Sequence, residues 1–145
     1  MIYLGCDHGG FALKEVIRSH LEKQGITVTD CGNTVFDSED DFTTYVTPVV
    51  EGVLQNAENR GILVCGSGIG VSIAANHHAG IRAALVHSVD YARLARQHNN
   101  ANIMCLGGRF VEEATALVMV DTFLKTPMDS NPKYQRRMAL ACGEK

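Results

Sequence analysis

The sequence predicts an α/β fold with a five-stranded parallel sheet, and two observations carry that expectation. Short apolar runs alternate with segments whose apolar residues recur every three or four positions, the pattern of βαβ units. Several of the short runs are apolar throughout, as strands are when helices cover both faces of a sheet.

The elements follow in order. Met1-Ile-Tyr-Leu-Gly-Cys has no basic segment before it and no small-residue cleavage site after it, so it reads as a strand, Tyr3–Cys6, and not as a signal peptide. Phe11, Leu13, Val16, Ile17 and Leu21 keep helical spacing, and Gly25 closes that segment. Thr27–Asp30 is the second strand. Residues 32–44 are irregular and acidic (Asp37-Ser-Glu-Asp-Asp41), either a solvated loop or a loop at the mouth of a site. Val49, Val50, Val53 and Leu54 mark a helix with Thr47 as N-cap and Pro48 at its first position. Gly61–Cys65 is the third strand, followed by a glycine loop and the start of a helix. Arg82–Val86 is the fourth. Tyr91, Leu94, Ala95 and His98 belong to a helix starting near Ser88 or Asp90, Ile103–Leu106 is the fifth strand, and Glu112 to Leu124 forms the next helix. A last helix runs from near Pro132 through Met138 to about Ala141. With no repeat and no linker, 145 residues suit one domain, 1–145.

Composition excludes several classes. A net charge of −3 offers no basic excess for a nucleic-acid backbone. No apolar stretch approaches membrane-spanning length. Five cysteines, at 6, 31, 65, 105 and 142, are odd in number and form no C-x-x-C pair, which argues against a disulfide framework or a zinc knuckle. A reducing compartment, the cytoplasm, fits best.

Ligands of open parallel sheets bind beyond the carboxyl ends of the strands. The unusual residues fall there: Asp7-His8-Gly-Gly after strand one, Cys65-Gly66-Ser67-Gly68-Ile69-Gly70 after strand three, His87 after strand four, and Gly107-Gly108-Arg109 after strand five. Glycines at 66, 68 and 70 let consecutive N–H groups turn into one space at a helix amino end, an anion-stabilising nest. The same donors favour a thiolate at Cys65, and Ser67 adds a hydroxyl. A base beside an anion hole is what enolisation requires. The alternative is a buried strand-end cysteine followed by a tight turn. Asp7 and His8 are suited to sugar hydroxyls, ring opening or phosphate, or else Asp7 is a turn cap beside an exposed histidine. His98 is either functional or a favourable charge at a helix end. Arg109, Lys133, Arg136 and Arg137 are phosphate cations or solvated surface charges.

Other readings of the glycine loop fail at single positions. A P-loop requires Lys-Ser/Thr after its last glycine, where Val71-Ser72 stand; a dinucleotide fingerprint requires glycine at 71, and a cysteine-phosphatase loop arginine there. No carboxylate/His ligand set for a metal-dependent isomerase is apparent.

Asp7-His-Gly-Gly-Phe-Ala-Leu-Lys14, Cys65-Gly-Ser-Gly-Ile-Gly-Val-Ser-Ile-Ala-Ala-Asn76, Gly80-Ile-Arg-Ala-Ala84 and Ala92-Arg-Leu-Ala-Arg-Gln-His-Asn99 resemble the ribose-5-phosphate isomerase B family, which includes the galactose-6-phosphate isomerase subunits. The resemblance implies a three-layer Rossmann-like fold with a five-stranded parallel sheet. It also implies a homodimer or tetramer with shared active sites, a sugar-phosphate substrate, and no metal or organic cofactor. Carried over by position, it makes Cys65 the base, with Gly66, Ser67 and Gly70 stabilising the enediolate. Asp7 and His98 would handle the sugar ring, Asn99 would orient it, and His8, Arg109, Lys133 and Arg137 would bind phosphate.

Three departures stand out. Ser67 replaces a commoner threonine; Asp41-Phe42-Thr43 stands for the usual D-Y-P; and Lys133-Tyr-Gln-Arg-Arg137 stands for R-H-x-x-R. Lysine lacks arginine's bidentate fork. Ser67 keeps the hydroxyl and changes little; the other two departures touch substrate binding, not the base. Ribose 5-phosphate is the expected substrate; galactose 6-phosphate, allose 6-phosphate, a tetrose phosphate, or a non-catalytic binding subunit are the alternatives.

Overall fold

The computed structural model describes residues 1–143. Five parallel strands, β1 (Ile2–Cys6), β2 (Val28–Asp30), β3 (Arg60–Cys65), β4 (Ala83–Leu85) and β5 (Ile103–Gly107), form one sheet in the order β2-β1-β3-β5-β4. Six helices accompany them: α1 (Phe11–Lys23), α2 (Phe42–Leu54), α3 (Ile69–Asn76), α4 (Val89–Asn99), α5 (Glu113–Lys125) and α6 (Pro132–Ala141). The expected α/β class and all five strands are present, with no end shifted by more than one residue.

Alternation along each strand sorts the core into two layers. Ile62 and Val64 of β3 face α1, α4 and α5, packing with Ile17, Ala95, Met119 and Phe123. Leu63 and Cys65 face α2 and α3, packing with Val49, Val53 and Val71. The result is the three-layer, Rossmann-like arrangement. α6 stands outside it, against α4.

The second helix departs from expectation. It begins at Phe42, after Asp41, and Pro48 lies inside it. A proline there removes one backbone bond and costs about 3 kcal/mol in a helix interior. Val46, Val49, Val50 and Val53, spaced i, i+3, i+4, i+7 and all buried, stabilise the longer helix by roughly 1.5–3 kcal/mol each. Packing therefore overrides the Thr47-Pro48 start signal. Elsewhere the caps agree: Ser88 Oγ accepts from Tyr91 N at 3.3 Å, Asn131 caps α6, and Gly25 follows α1 in the left-handed region.

The two edges of the sheet differ in charge. Its amino-terminal edge gathers the carboxyl ends of α2 to α5, and with them partial negative charge. Three arginines answer it. Arg60 Nη1 donates to the carbonyls of Ala57 and Asn59 at 2.7 Å, and Arg82 Nε to Asn100 O at 2.8 Å. Arg96 donates to the carbonyls of Thr126 and Ala101; burial, then Arg60 and Arg82, pull it down to about 10. The carboxyl-terminal edge gathers helix amino ends instead, an environment suited to anions.

Candidate active site

β1 and β3 are neighbours in register, so Cys6 lies beside Val64 and the two following segments leave the sheet side by side. Asp7 is buried, and its Oδ1 accepts from Gly9 N at 2.9 Å, capping a short 3-10 turn over His8–Gly10. Asp7 thus caps the turn at the strand end through Oδ1. Gly9 runs so close to the Cys65 loop that a Cβ there would stand 2.6 Å from Gly66 N.

Cys65 closes β3 and is 5% exposed in the single chain. Its Sγ accepts from Gly68 N at 3.0 Å. Gly68 achieves this with φ of +78°, a left-handed conformation that a side chain disfavours. Ser67 Oγ accepts from Ile69 N at 3.2 Å. Two of the loop amides are therefore engaged inside the loop, on the sulfur and on the Ser67 hydroxyl. Gly70, in the first turn of α3, has no carbonyl one turn back within the helix for its N–H, and the ring of Phe42 lies over it.

The exit of β5 completes this rim. Gly108 N donates to Cys65 O at 2.8 Å and Arg109 N to Gly66 O at 3.2 Å, which lays the Arg109 guanidinium against Gly66. Arg109 is exposed and carries no ion pair among the described residues.

His8 has a partner that sequence reasoning missed. Its ring Nδ1 lies 2.7 Å from Asp40 Oδ1, which also accepts from His8 N at 3.1 Å. The hydrogen bond to Asp40 holds His8 above the ordinary imidazole value. Burial works against the Asp40 carboxylate, but the bonds from His8 and Asn33 outweigh it and keep it below its usual range. Donor atoms of Asp7, His8 and Asp40 all lie within 4.8 Å of one another, so the fold assembles a carboxylate/His group that was not apparent in the sequence. These side chains hydrogen-bond one another or the adjacent backbone. Asp40 sat among several acids of the 37–41 run, and no spacing singled it out.

His98, Asn99, Lys133 and Arg137 are not brought to this rim. α4 starts at the carboxyl edge and ends at the amino edge, where Asn102 O accepts from Gly61 N. That places His98 and Asn99 about 13 Å from the Cys65 end by strand rise alone. They form a second group with α6. The His98 ring stacks on Tyr134 at 4.2 Å, and Lys133 Nζ lies 4.8 Å over the same ring. Asn99 and Met138 line a cavity of about 670 Å³ that reaches Asn76, at the end of α3.

Cys6 and Cys105 are core packing groups, Cys31 is half-buried and Cys142 is exposed. Burial pushes Cys6 up to about 11 and raises Cys105 further. All five thiols are free. No helix among the described residues is long and apolar enough to cross a membrane.

The profile of the ribose/galactose isomerase family matches residues 2–140. The chain belongs to this family. Among family relatives, ribose-5-phosphate isomerase B of Mycolicibacterium paratuberculosis is 43% identical over 137 residues, 94% of this chain and 86% of that one. The Escherichia coli ribose-5-phosphate isomerase B is 39% identical over 143 residues, 99% of this chain and 95% of that one. The ribose 5-phosphate isomerase of Thermotoga maritima superposes with a TM-score of 0.93 at 45% identity, covering 98% of this chain and 97% of that one. The Mycoplasma genitalium ribose-5-phosphate isomerase B, solved with bound ribulose-5-phosphate, has a TM-score of 0.93 at 40% identity, covering 98% and 93%.

Proposed function

We propose that this chain interconverts an aldose phosphate and its ketose, ribose 5-phosphate and ribulose 5-phosphate foremost, through a cis-enediolate. The observation that carries this reading is the Gly68 N–H on Cys65 Sγ at the carboxyl end of β3, between Asp7, His8 and Arg109. The donor stabilises negative charge on sulfur. Cys65 as thiolate takes the C2 proton of the opened aldose, and the C–H electrons become the C1–C2 double bond as charge moves to O1. The thiol returns the proton to C1, O2 loses its hydroxyl proton, and O1 gains one. Gly66, Ser67 and Gly70 stabilise the enediolate, Asp7 acts on the sugar ring, and His8 and Arg109 hold the phosphate.

A second copy completes the site. One chain carries two separated half-sites: Cys65, Asp7, His8 and Arg109 on one rim, and His98, Asn99, Lys133 and Arg137 on the other. α3 links them, running from the Cys65 loop to Asn76, and its Ile69 and Ile73 are 52% and 57% exposed. A two-fold axis across α3 would cover these residues and set the Cys65 loop of one copy against the cavity at Asn76 and Asn99 of the other. In that homodimer, or in a tetramer built from it, His98 assists ring opening, Asn99 orients the sugar, and Lys133 and Arg137 close on the phosphate. We read the chain as one domain working in the cytoplasm, on pentose phosphates in carbohydrate metabolism; the odd cysteine count without a C-x-x-C pair supports that compartment.

The test is an assay of four- to six-carbon aldose and ketose phosphates with solvent-deuterium incorporation at C1 and C2. Ribose 5-phosphate should give the highest kcat/KM, and no turnover of any sugar phosphate would overturn the reading. Phe42 over Gly70, and Lys133 drawn onto Tyr134, favour as second readings a different sugar phosphate or a binding-only subunit. The first would shift the preferred substrate; the second would bind without exchange.

A further inference from the structure

We propose that Asp40, backed by Asn33, is a positioning residue that locks the His8 ring through Nδ1–H and presents Nε2–H as part of an imidazolium beside Arg109. This rests on the reading above that His8 and Arg109 hold the substrate phosphate.

The geometry is over-determined. Asp40 Oδ1 accepts from both the backbone N–H and the ring Nδ1–H of His8, which ties the ring to its own backbone. Oδ2 accepts from Asn33 Nδ2 at 2.9 Å, and the Asp40 side chain is only 6% exposed. Asn33 is fixed in turn: its carbonyl accepts from the fully buried Lys14 Nζ at 2.8 Å, and its Oδ1 from Val35 N at 3.3 Å. Phe36 meets the His8 ring edge-on at 6.3 Å and packs on Phe11. Nε2 is left as the ring nitrogen without a partner among the described residues.

The chemistry depends on the charge state. With Nδ1–H given to Asp40, a neutral ring would offer a lone pair at Nε2, which repels a phosphate oxygen; the imidazolium offers a donor there. The charged groups facing His8 are Asp7 from the end of β1, Asp40 from the loop before α2, and Arg109 from the exit of β5. The carboxylates favour the cation and Arg109 opposes it, with the Asp40 hydrogen bond the largest influence. Without Asp40, the ring would lose both its charge at neutral pH and its direction.

The test compares the wild type with the isosteric D40N. Near pH 7.5, KM for ribose 5-phosphate should rise about tenfold, the loss of one charge-assisted contact, with kcat changed by no more than about threefold. Near pH 5.5, where the lower pH restores the His8 charge that D40N loses near neutrality, the KM ratio should fall to about twofold. Substrate phosphate ionisation cancels in that ratio. In ligand-free protein, the NMR titration midpoint of His8 Cε1 should drop to the ordinary imidazole value or below in D40N. N33A should shift both readouts the same way by less. A KM ratio equal at the two pH values, or a His8 midpoint unmoved by D40N, would overturn the proposal. Should no sugar phosphate turn over, inorganic phosphate still tests it: phosphate should raise the His8 midpoint in the wild type and bind D40N about fivefold more weakly near pH 7.5. Equal binding overturns it.

Discussion

The Gly68 amide points at the Cys65 sulfur from 3.0 Å, so the group proposed as base carries its own backbone donor. C65A should lower kcat at least about a hundredfold, the usual contribution of a positioned base, with circular dichroism and melting nearly unchanged. Near-normal turnover in C65A would remove the proposed chemistry.

Gly68 should resist substitution for two separate reasons. Its φ of +78° strains any other residue, and a Cβ there would lie 2.6 Å from Leu85 Cδ1 and 2.8 Å from the Leu106 carbonyl carbon. G68A should cost about 2 kcal/mol or more of stability by urea denaturation. It should also lower kcat by moving the donor off the sulfur.

Lys14 is fully buried, with Nζ at 2.7 Å from Asp30 Oδ2 and 2.8 Å from both Glu15 Oε1 and the Asn33 carbonyl. K14M leaves Asp30 without its main counter-charge and should destabilise the protein by about 3 kcal/mol, the low end for breaking a buried pair. Arg18 Nη1, 3.9 Å from Asp30, softens the loss. Because Lys14 also anchors Asn33, the KM of folded K14M should rise as well. Unchanged stability would show that Asp30 finds another partner.

Acid should weaken the fold through Asp40 and Asp121. Burial opposes ionisation at Asp121, but the hydrogen bonds from His20 and Gln24 outweigh it, and both carboxylates are held below their ordinary values. A lowered folded-state value gives stability that is full above the unfolded value and is lost as pH falls through the folded one. Tm should therefore be flat from about pH 6 to 5 and fall below about pH 4. D121N should lower Tm by a few degrees near pH 6 and flatten the acid decline. An identical acid profile in D121N would exclude the His20–Asp121 link between α1 and α5 as a contributor.

The proposed two-chain site predicts complementation. I73D should yield an inactive monomer with native circular dichroism. Mixing C65A with the double variant K133A/R137A, after dissociation and reassociation, should restore about a quarter of wild-type activity. Half of the dimers are mixed, and one of the two sites in each is intact. No recovery would mean that each chain builds its site alone.

What could be read from residues alone was whatever depends on local pattern. Apolar runs gave the strands, three- and four-residue spacing gave the helices, and glycine clusters at strand ends located the Cys65 rim, because backbone conformation and burial act over a few neighbouring residues. The start of α2 escaped because Thr47-Pro48 is a genuine local signal that four buried valines outweigh. Lys14 on the stripe Lys14, Ile17, Leu21 was a legible hint of a buried cation, but its partners Asp30 and Asn33 were not. Partners distant in the chain are set by how loops close over the sheet, which leaves no periodic trace. For that reason only the tertiary structure joined His8 to Asp40 and set His98 and Lys133 on the rim opposite Cys65.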